Sequence, residues 1–161
     1  MHTDRRAFLA VAGIGAFTAA CGGGALAEAA QKCDFTLTEA DWKKRRSALA
    51  YQVLRQGATE RAFTSPLNKE HRAGTFACAG CALPLYASST KFDSGTGWPS
   101  FWQPLPRAVI TRADNSLGMR RTEVLCRRCG GHLGHVFDDG PPPTGKRYCM
   151  NGAALAFVAK G

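Results

Sequence analysis

Four of the chain's seven cysteines stand in two Cys-x-x-Cys pairs, Cys78-Ala79-Gly80-Cys81 and Cys126-Arg127-Arg128-Cys129. No other feature limits the fold as strongly. Each pair puts two sulfurs on one tight turn, and two such turns supply the tetrahedral thiolate set of a structural zinc. Residues 82–125 separate the pairs, well beyond the roughly 15 to 20 residues of a zinc ribbon. The expected object is a ribbon-like clip with a functional region inserted between its halves. Two other readings stand beside zinc held by Cys78, Cys81, Cys126 and Cys129. The pairs could close two disulfides, or Cys126, Cys129, His132 and His135 could form the metal set and leave Cys78 and Cys81 over.

At 161 residues, 45% hydrophobic and 20% charged, the chain suits one folded domain rather than disorder. Its 18 glycines and 8 prolines favour many turns over long helices. No apolar run reaches 18 residues, which excludes a multi-pass membrane protein. The formal net charge is +9, a balance that suits nucleic acid, an anionic membrane or simple solubility. The basic residues are scattered, however. The densest run, Lys43-Lys44-Arg45-Arg46, falls in a helical pattern and reads as a solvated helix face.

Residues 1–27 read as an address. Arg5-Arg6 precede Ala7-Phe8-Leu9 and a stretch of apolar and small residues as far as Ala20, too short to span a bilayer but suited to a signal-peptide core. The arginine pair resembles the twin-arginine signal, which exports folded proteins. Ala25-Leu26-Ala27 fits small-x-small cleavage, making Glu28 the expected mature N-terminus. Thr18-Ala19-Ala20-Cys21 loosely resembles an acylation box, so a lipid anchor through Cys21 is the alternative to cleavage after Ala27. In both forms the expected place of work is the periplasm, where disulfides persist. Cleavage removes two arginines, one aspartate and Cys21, lowering the charge to +8 and leaving six cysteines.

Residues 28–37 are expected as a flexible tail and residues 38–161 as one mostly antiparallel β domain opened by a short helical segment. Thr38 is placed to cap a helix with Glu39 and Asp41 in its first turn. The pattern runs on through Tyr51, Val53 and Leu54, with a break near Ser47 and a stop at Gly57. Strands are expected at Leu83 to Tyr86, Arg107 to Thr111, Arg121 to Leu125 and Leu155 to Ala159.

Cys149 stands alone in Arg147-Tyr148-Cys149-Met150-Asn151. A lone cysteine is more often core than nucleophile, but its setting is polar. On a strand Arg147, Cys149 and Asn151 share one face, where the guanidinium favours the thiolate and the amide offers hydrogen bonds. The turn-rich stretch from Asp138 to Gly145 would fold the chain back. That return lays His132-Leu133-Gly134-His135 beside Cys149 and gathers a thiol, a cation and two imidazoles.

Four stretches resemble the methionine-R-sulfoxide reductases: Lys91 to Phe101, with its Ser94-Gly95-Thr96-Gly97-Trp98-Pro99 core; Arg121 to Val124; His132 to Phe137; and Arg147 to Asn151. Both Cys-x-x-Cys pairs fall where zinc-bearing members have theirs, and the likeness runs from Tyr51 to Phe157. It implies two antiparallel sheets folded like a tent, with one structural zinc away from the active site. It also implies Cys149 as nucleophile and Trp98 as the wall for the substrate methyl group. His132, His135 and Asn151 would handle the sulfoxide oxygen and a bridging water, with Arg147 nearby. The chemistry is coherent, because a thiolate attacking a sulfoxide needs the departing oxygen protonated, and histidine is a reasonable acid near neutral pH. The product is methionine and a sulfenic acid.

One position departs from the pattern. Many members carry a resolving cysteine where this chain has Thr96. Others resolve from the N-terminus, and Cys33 is the one mature cysteine without another assignment. Expected partners are therefore oxidised proteins and a thioredoxin-like reductant, with the enzyme acting as a monomer. Two rival classes are a general thiol-disulfide oxidoreductase using a Cys-x-x-Cys pair and a zinc-ribbon nucleic-acid-binding module. The first lacks the βαβ pattern of a thioredoxin-like fold. The second has no use for Cys149 or an export signal.

Overall fold

Two short helices open the part of the chain that the computed structural model describes, residues 33–161. The leader, its cleavage site, Cys21 and residues 28–32 of the tail lie outside the described residues. Helix α1 (Glu39–Arg45) starts where Thr38 accepts a hydrogen bond from the Asp41 N–H at 3.2 Å. Ser47 accepts from the Ala50 N–H at 3.2 Å and begins helix α2 (Ala48–Gln56), so the expected break is a true second N-cap. Gly57 closes α2 in the left-handed conformation at φ 68°. Trp42 from α1 and Ala50, Val53 and Leu54 from α2 are the buried faces.

Nine strands follow: β1 (Gly74–Cys78), β2 (Pro84–Ala87), β3 (Lys91–Phe92), β4 (Ser100–Phe101), β5 (Val109–Asp114), β6 (Arg121–Cys126), β7 (His132–Phe137), β8 (Arg147–Met150) and β9 (Leu155–Ala159). They form a three-stranded sheet in the order β2-β1-β9 and a six-stranded sheet in the order β3-β4-β8-β7-β6-β5. Every pairing is antiparallel, as expected of a mainly β, two-sheet domain. The β5 strand begins later than the pattern suggests. Arg107 takes φ 57° in a turn closed by the Ala108 N–H donating to the Leu105 carbonyl. The core is aromatic and aliphatic: Phe76 meets Phe101 edge-on at 4.9 Å, Tyr86 stacks on Phe101 at 4.3 Å, and Leu85, Val124, Leu133 and Met150 are fully buried.

Two details of β7 position the site. His132 and His135 are three residues apart, which on a regular strand would send them to opposite faces. The register slips by one: Val124 pairs with Gly134 but Leu125 with His132. This bulge absorbs Leu133 and returns both imidazoles to one face, with ring centroids 5.4 Å apart. Gly134 supplies close approach. A Cβ there would lie 2.1 Å from the Cys149 carbonyl oxygen, so only glycine lets β8 come this near.

Candidate active site and metal centre

The metal centre is built at strand ends. Cys78 closes β1 and Cys81 lies in the turn before β2; Cys126 closes β6 and Cys129 lies in the turn before β7. Each turn is held by a backbone bond, Ala82 N–H to Cys78 O and Gly130 N–H to Cys126 O, both 2.8 Å. All four cysteines are buried, and their sulfurs lie within 4.8 Å of one another. Two of the separations cross between the pairs, Cys78 to Cys129 at 3.7 Å and Cys81 to Cys126 at 3.5 Å. A tetrahedron of Zn–S bonds near 2.3 Å asks for sulfurs about 3.8 Å apart, so the donor set fits zinc. The gaps are far too long for disulfides of roughly 2.05 Å. Neither histidine joins the cluster, which removes the mixed cysteine–histidine set. A metal here ties the three-stranded sheet to the six-stranded one.

The second assembly surrounds Cys149. On β8 it pairs directly with His135 of β7, as the folded-back turn implied. Cys149, His135, Asn151 and Trp98 line one pocket of about 130 Å³. The Trp98 indole N–H donates to the Glu60 carbonyl at 3.1 Å, which sets the ring as one wall. Asn151 is 3% exposed, and its carboxamide is engaged on both sides: Oδ1 accepts from the Glu60 N–H at 2.9 Å and Nδ2 donates to the Leu133 carbonyl at 3.1 Å. These bonds hold the end of β8 in place.

His132 lies beside the pocket rather than in it. With His135, Thr59 and Arg121 it lines an adjoining cavity of about 400 Å³. Each imidazole donates to a carboxylate: His132 Nδ1 to Glu123 Oε1 at 2.7 Å, and His135 Nε2 to Asp114 Oδ2 at 2.8 Å. The two rings are thus anchored through different nitrogens. His132 Nε2 is buried and meets no hydrogen-bond partner among the described residues. Arg147 is gripped by Asp139 through two bonds of 2.9 and 2.8 Å, and its guanidinium lies over the Phe137 ring.

At the thiol, burial opposes the thiolate and the Arg147 guanidinium favours it. Burial pushes the Cys149 thiol up, and Thr96, Arg147 and Ser100 pull it down without overcoming that effect. The thiol therefore holds its proton more tightly than an exposed cysteine does. Burial also lowers the pKa of His135, partly offset by Asp114. Burial would raise the Glu123 carboxyl, but His132 and Arg112 outweigh it and leave the group below the usual range. Ser116 and then His135 hold Asp114 well below it.

Thr96 stands directly against the thiol, its Oγ1 3.8 Å from Cys149 Sγ, in a hydroxyl chain with Ser94 and Ser100. Cys33 stands elsewhere. A Cβ on Gly130 would meet Cys33 Sγ at 2.8 Å, which puts this residue beside the second metal turn. The neighbouring Phe35 N–H donates to the Arg128 carbonyl at 3.0 Å. Cys33 is not among the residues that line the pocket of Cys149.

Four supporting acids escaped the sequence reading, and one of them is Asp139, which grips Arg147. Glu123 was reachable in principle, since it alternates with Arg121 on a strand next to the histidines. Asp114 needed the β5–β6 register. Glu60 carried no signal, yet its backbone binds both Trp98 and Asn151, and its buried carboxylate accepts from the Gly152 and Ala153 N–H groups.

Comparison with known proteins adds an independent line. Residues 47–159 match the SelR domain. The chain is 55% identical over 124 residues to the peptide methionine sulfoxide reductase MsrB of Thiobacillus denitrificans, covering 76% of this chain and 94% of that protein. It is 56% identical over 128 residues to the MsrB of Pseudomonas putida, covering 79% and 95%. To the chloroplastic peptide methionine sulfoxide reductase B1 of Arabidopsis thaliana it is 53% identical over 132 residues, covering 81% and 65%.

Proposed function

Because the chain belongs to the SelR-domain family of peptide methionine sulfoxide reductases, we propose that it reduces the R epimer of methionine sulfoxide in proteins with Cys149 as nucleophile. The observation that supports this most is the shared pocket of Cys149, Trp98 and His135. The indole offers an apolar wall for the S-methyl group. His135, with His132 and its unpartnered Nε2 close by, offers imidazoles for the sulfoxide oxygen and a water. Nothing in the fold or the relatives favours a nucleic-acid-binding zinc ribbon.

The reaction balances without a cofactor. The methionine S–O bond breaks, a Cys149 S–O bond forms, and the proton of the thiol ends on oxygen. Two electrons pass from the cysteine sulfur to the methionine sulfur, giving a sulfenic acid and a thioether. The Cys33 thiol then attacks the sulfenic sulfur, releasing water and closing a disulfide. A thioredoxin-like dithiol returns both cysteines to thiols. For this step residues 33–37 must leave the Arg128 turn, where the Phe35 backbone bond and the Arg128–Phe35 stacking hold them. The metal is zinc, bound by Cys78, Cys81, Cys126 and Cys129, and its part is structural.

The proposed place of work is the periplasm, on the strength of Arg5-Arg6, the apolar stretch behind it and Ala25-Leu26-Ala27. Mass spectrometry of protein from its host is expected to find Glu28 first. An acylated Cys21 would establish the anchored form, and an intact Met1 would refute export. The activity is tested by mixing pre-reduced protein with one epimer at a time. Wild type should reduce the R epimer once per chain, Cys149→Ser neither epimer, and peptide mapping afterwards should find a Cys33–Cys149 bridge. Full activity in Cys149→Ser would end the mechanism. Unchanged thioredoxin-supported cycling in Cys33→Ser would remove Cys33 from it.

A further inference from the structure

The thiol pocket shares lining residues with each of two further cavities. On one side it shares Trp98 with a groove of about 260 Å³ floored by residues around Lys91 and Pro99. On another it shares Thr59, Arg121 and His135 with the cavity beside His132. Each flanking cavity is rimmed by an exposed apolar side chain, Phe63 at 74% and Leu117 at 82%, the two most exposed large hydrophobics among the described residues. Both also hold left-handed backbone, at φ 66° and 55°, a conformation that bulky residues seldom adopt.

At Phe63 the surroundings impose that conformation. The Phe63 N–H donates to the Gly97 carbonyl at 2.7 Å, and Asn68 Nδ2 donates to the same oxygen at 2.9 Å. A Cβ on Gly97 would lie 2.8 Å from the Phe63 ring and nitrogen. The ring is thus clamped to the residue before Trp98, yet turned out to water. Held outward beside the pocket, the ring is open to whatever lies along the Trp98 side of it.

We propose that these three cavities form one trough for an extended polypeptide, with the oxidised methionine over Cys149 and its flanking residues against Phe63 on one side and Leu117 on the other. The proposal rests on reading the pocket as the sulfoxide site and adds how the chain around the methionine is held. A lone amino acid would fill only the thiol pocket. Residues two positions away on an extended chain lie roughly 7 Å off, within reach of the flanks. The Phe63 side carries Lys69, His71 and Lys91 against Asp93, so acidic residues are favoured there.

The test uses pre-reduced full-length protein in single turnovers, so that no reductant takes part. Substrates are nine-residue peptides with a central R-methionine sulfoxide, Asp-flanked or Lys-flanked, and N-acetylmethionine sulfoxide methylamide, too short to reach either flank. Phe63→Ser and Leu117→Ser are each expected to lower the second-order rate constant of the single turnover roughly three- to tenfold for the peptides, the scale of one apolar contact, and to leave the small amide within about twofold. Lys69→Glu should erode the preference for the Asp-flanked peptide. Equal losses on peptide and amide, or no loss on either, would overturn the trough. So would a defect confined to thioredoxin-supported cycling, which would make the surface the reductant's. Failure of the wild type on both substrates would overturn the reading of the pocket itself, and the trough with it.

Discussion

The metal clip and the thiol pocket meet on strand β6, which Arg121 begins beside the pocket and Cys126 ends in the clip, and they use the same element, sulfur, to opposite ends. In the clip four buried cysteines converge and need nothing from the rest of the chain but two tight turns. The pocket draws on five stretches of the sequence, and four side chains in or beside it lean on another residue: Trp98 on Glu60, His132 on Glu123, His135 on Asp114, Arg147 on Asp139. A site that holds a cation is closed on itself. A site that holds a substrate is open on one side and must be braced from behind.

The clip should therefore dominate stability. Structural zinc contributes on the order of 10 kcal/mol in small domains. Cys78→Ser or Cys129→Ser, or a strong chelator, is expected to abolish cooperative thermal unfolding, while Cys149→Ser melts within a few degrees of wild type. Metal analysis alongside the melts decides it. A Cys129→Ser variant with normal metal and melting would break the contrast outright.

The bracing of the histidines comes next. Glu123 is 8% exposed and accepts from Arg112 through two bonds of 2.9 and 2.6 Å as well as from His132. Glu123→Gln keeps the shape but removes the charge. It should cost about 1–3 kcal/mol in denaturant unfolding, and slow the single turnover roughly tenfold or more, short of the 10²–10⁴ of a lost general acid. Asp114 raises the pKa of His135, so Asp114→Asn should move that imidazole's midpoint, already below its ordinary value, further down in an NMR titration. A midpoint that moved up would show that the pair does not act as drawn.

This same contrast explains what the sequence disclosed. The clip was legible because its chemistry is local, two short motifs whose spacing states the ligand set. The Cys149–His135 pairing was legible because alternation and one turn-rich segment determine it. What stayed hidden is whatever depends on register: the bulge at Leu133 that turns His132 to the side of His135, and the pairing that carries Asp114 to the site. Glu60 stayed hidden for a different reason. Its most useful groups are its backbone N–H and carbonyl, which no residue identity announces.

Thr96 offers a way to move chemistry between the two kinds of site. Its hydroxyl is 3.8 Å from the thiol, whereas Cys33 lies beside Gly130. A thiol at position 96 needs no segment to detach before it meets a sulfenic acid. Thr96→Cys in a Cys33→Ser background is thus expected to restore thioredoxin-supported turnover, by roughly tenfold over Cys33→Ser alone. Peptide mapping should then find the bridge between positions 96 and 149. Continued dependence on dithiothreitol would show that the local backbone forbids the bond.

The smallest expected effect concerns the resting thiol. Thiolate is the form that alkylating reagents attack, so the rate of Cys149 alkylation follows its ionisation. Burial raises this pKa, and Thr96 and Arg147 lower it. The alkylation rate should therefore climb with pH through a midpoint above the ordinary thiol value of about 8.5. Removing either lowering influence moves the midpoint up, since the neutral thiol gains in relative terms: Thr96→Val by loss of a hydrogen bond, Arg147→Met by loss of a charge. Each shift should be less than about one pH unit, because burial remains and Asp139 already occupies most of the guanidinium. With zinc bound, the four clip cysteines should stay unreactive throughout, and a zinc-release dye in the same experiment tests that. A midpoint below the ordinary value, or one that falls in Arg147→Met, would mean that the charge of the site and not its burial governs the nucleophile.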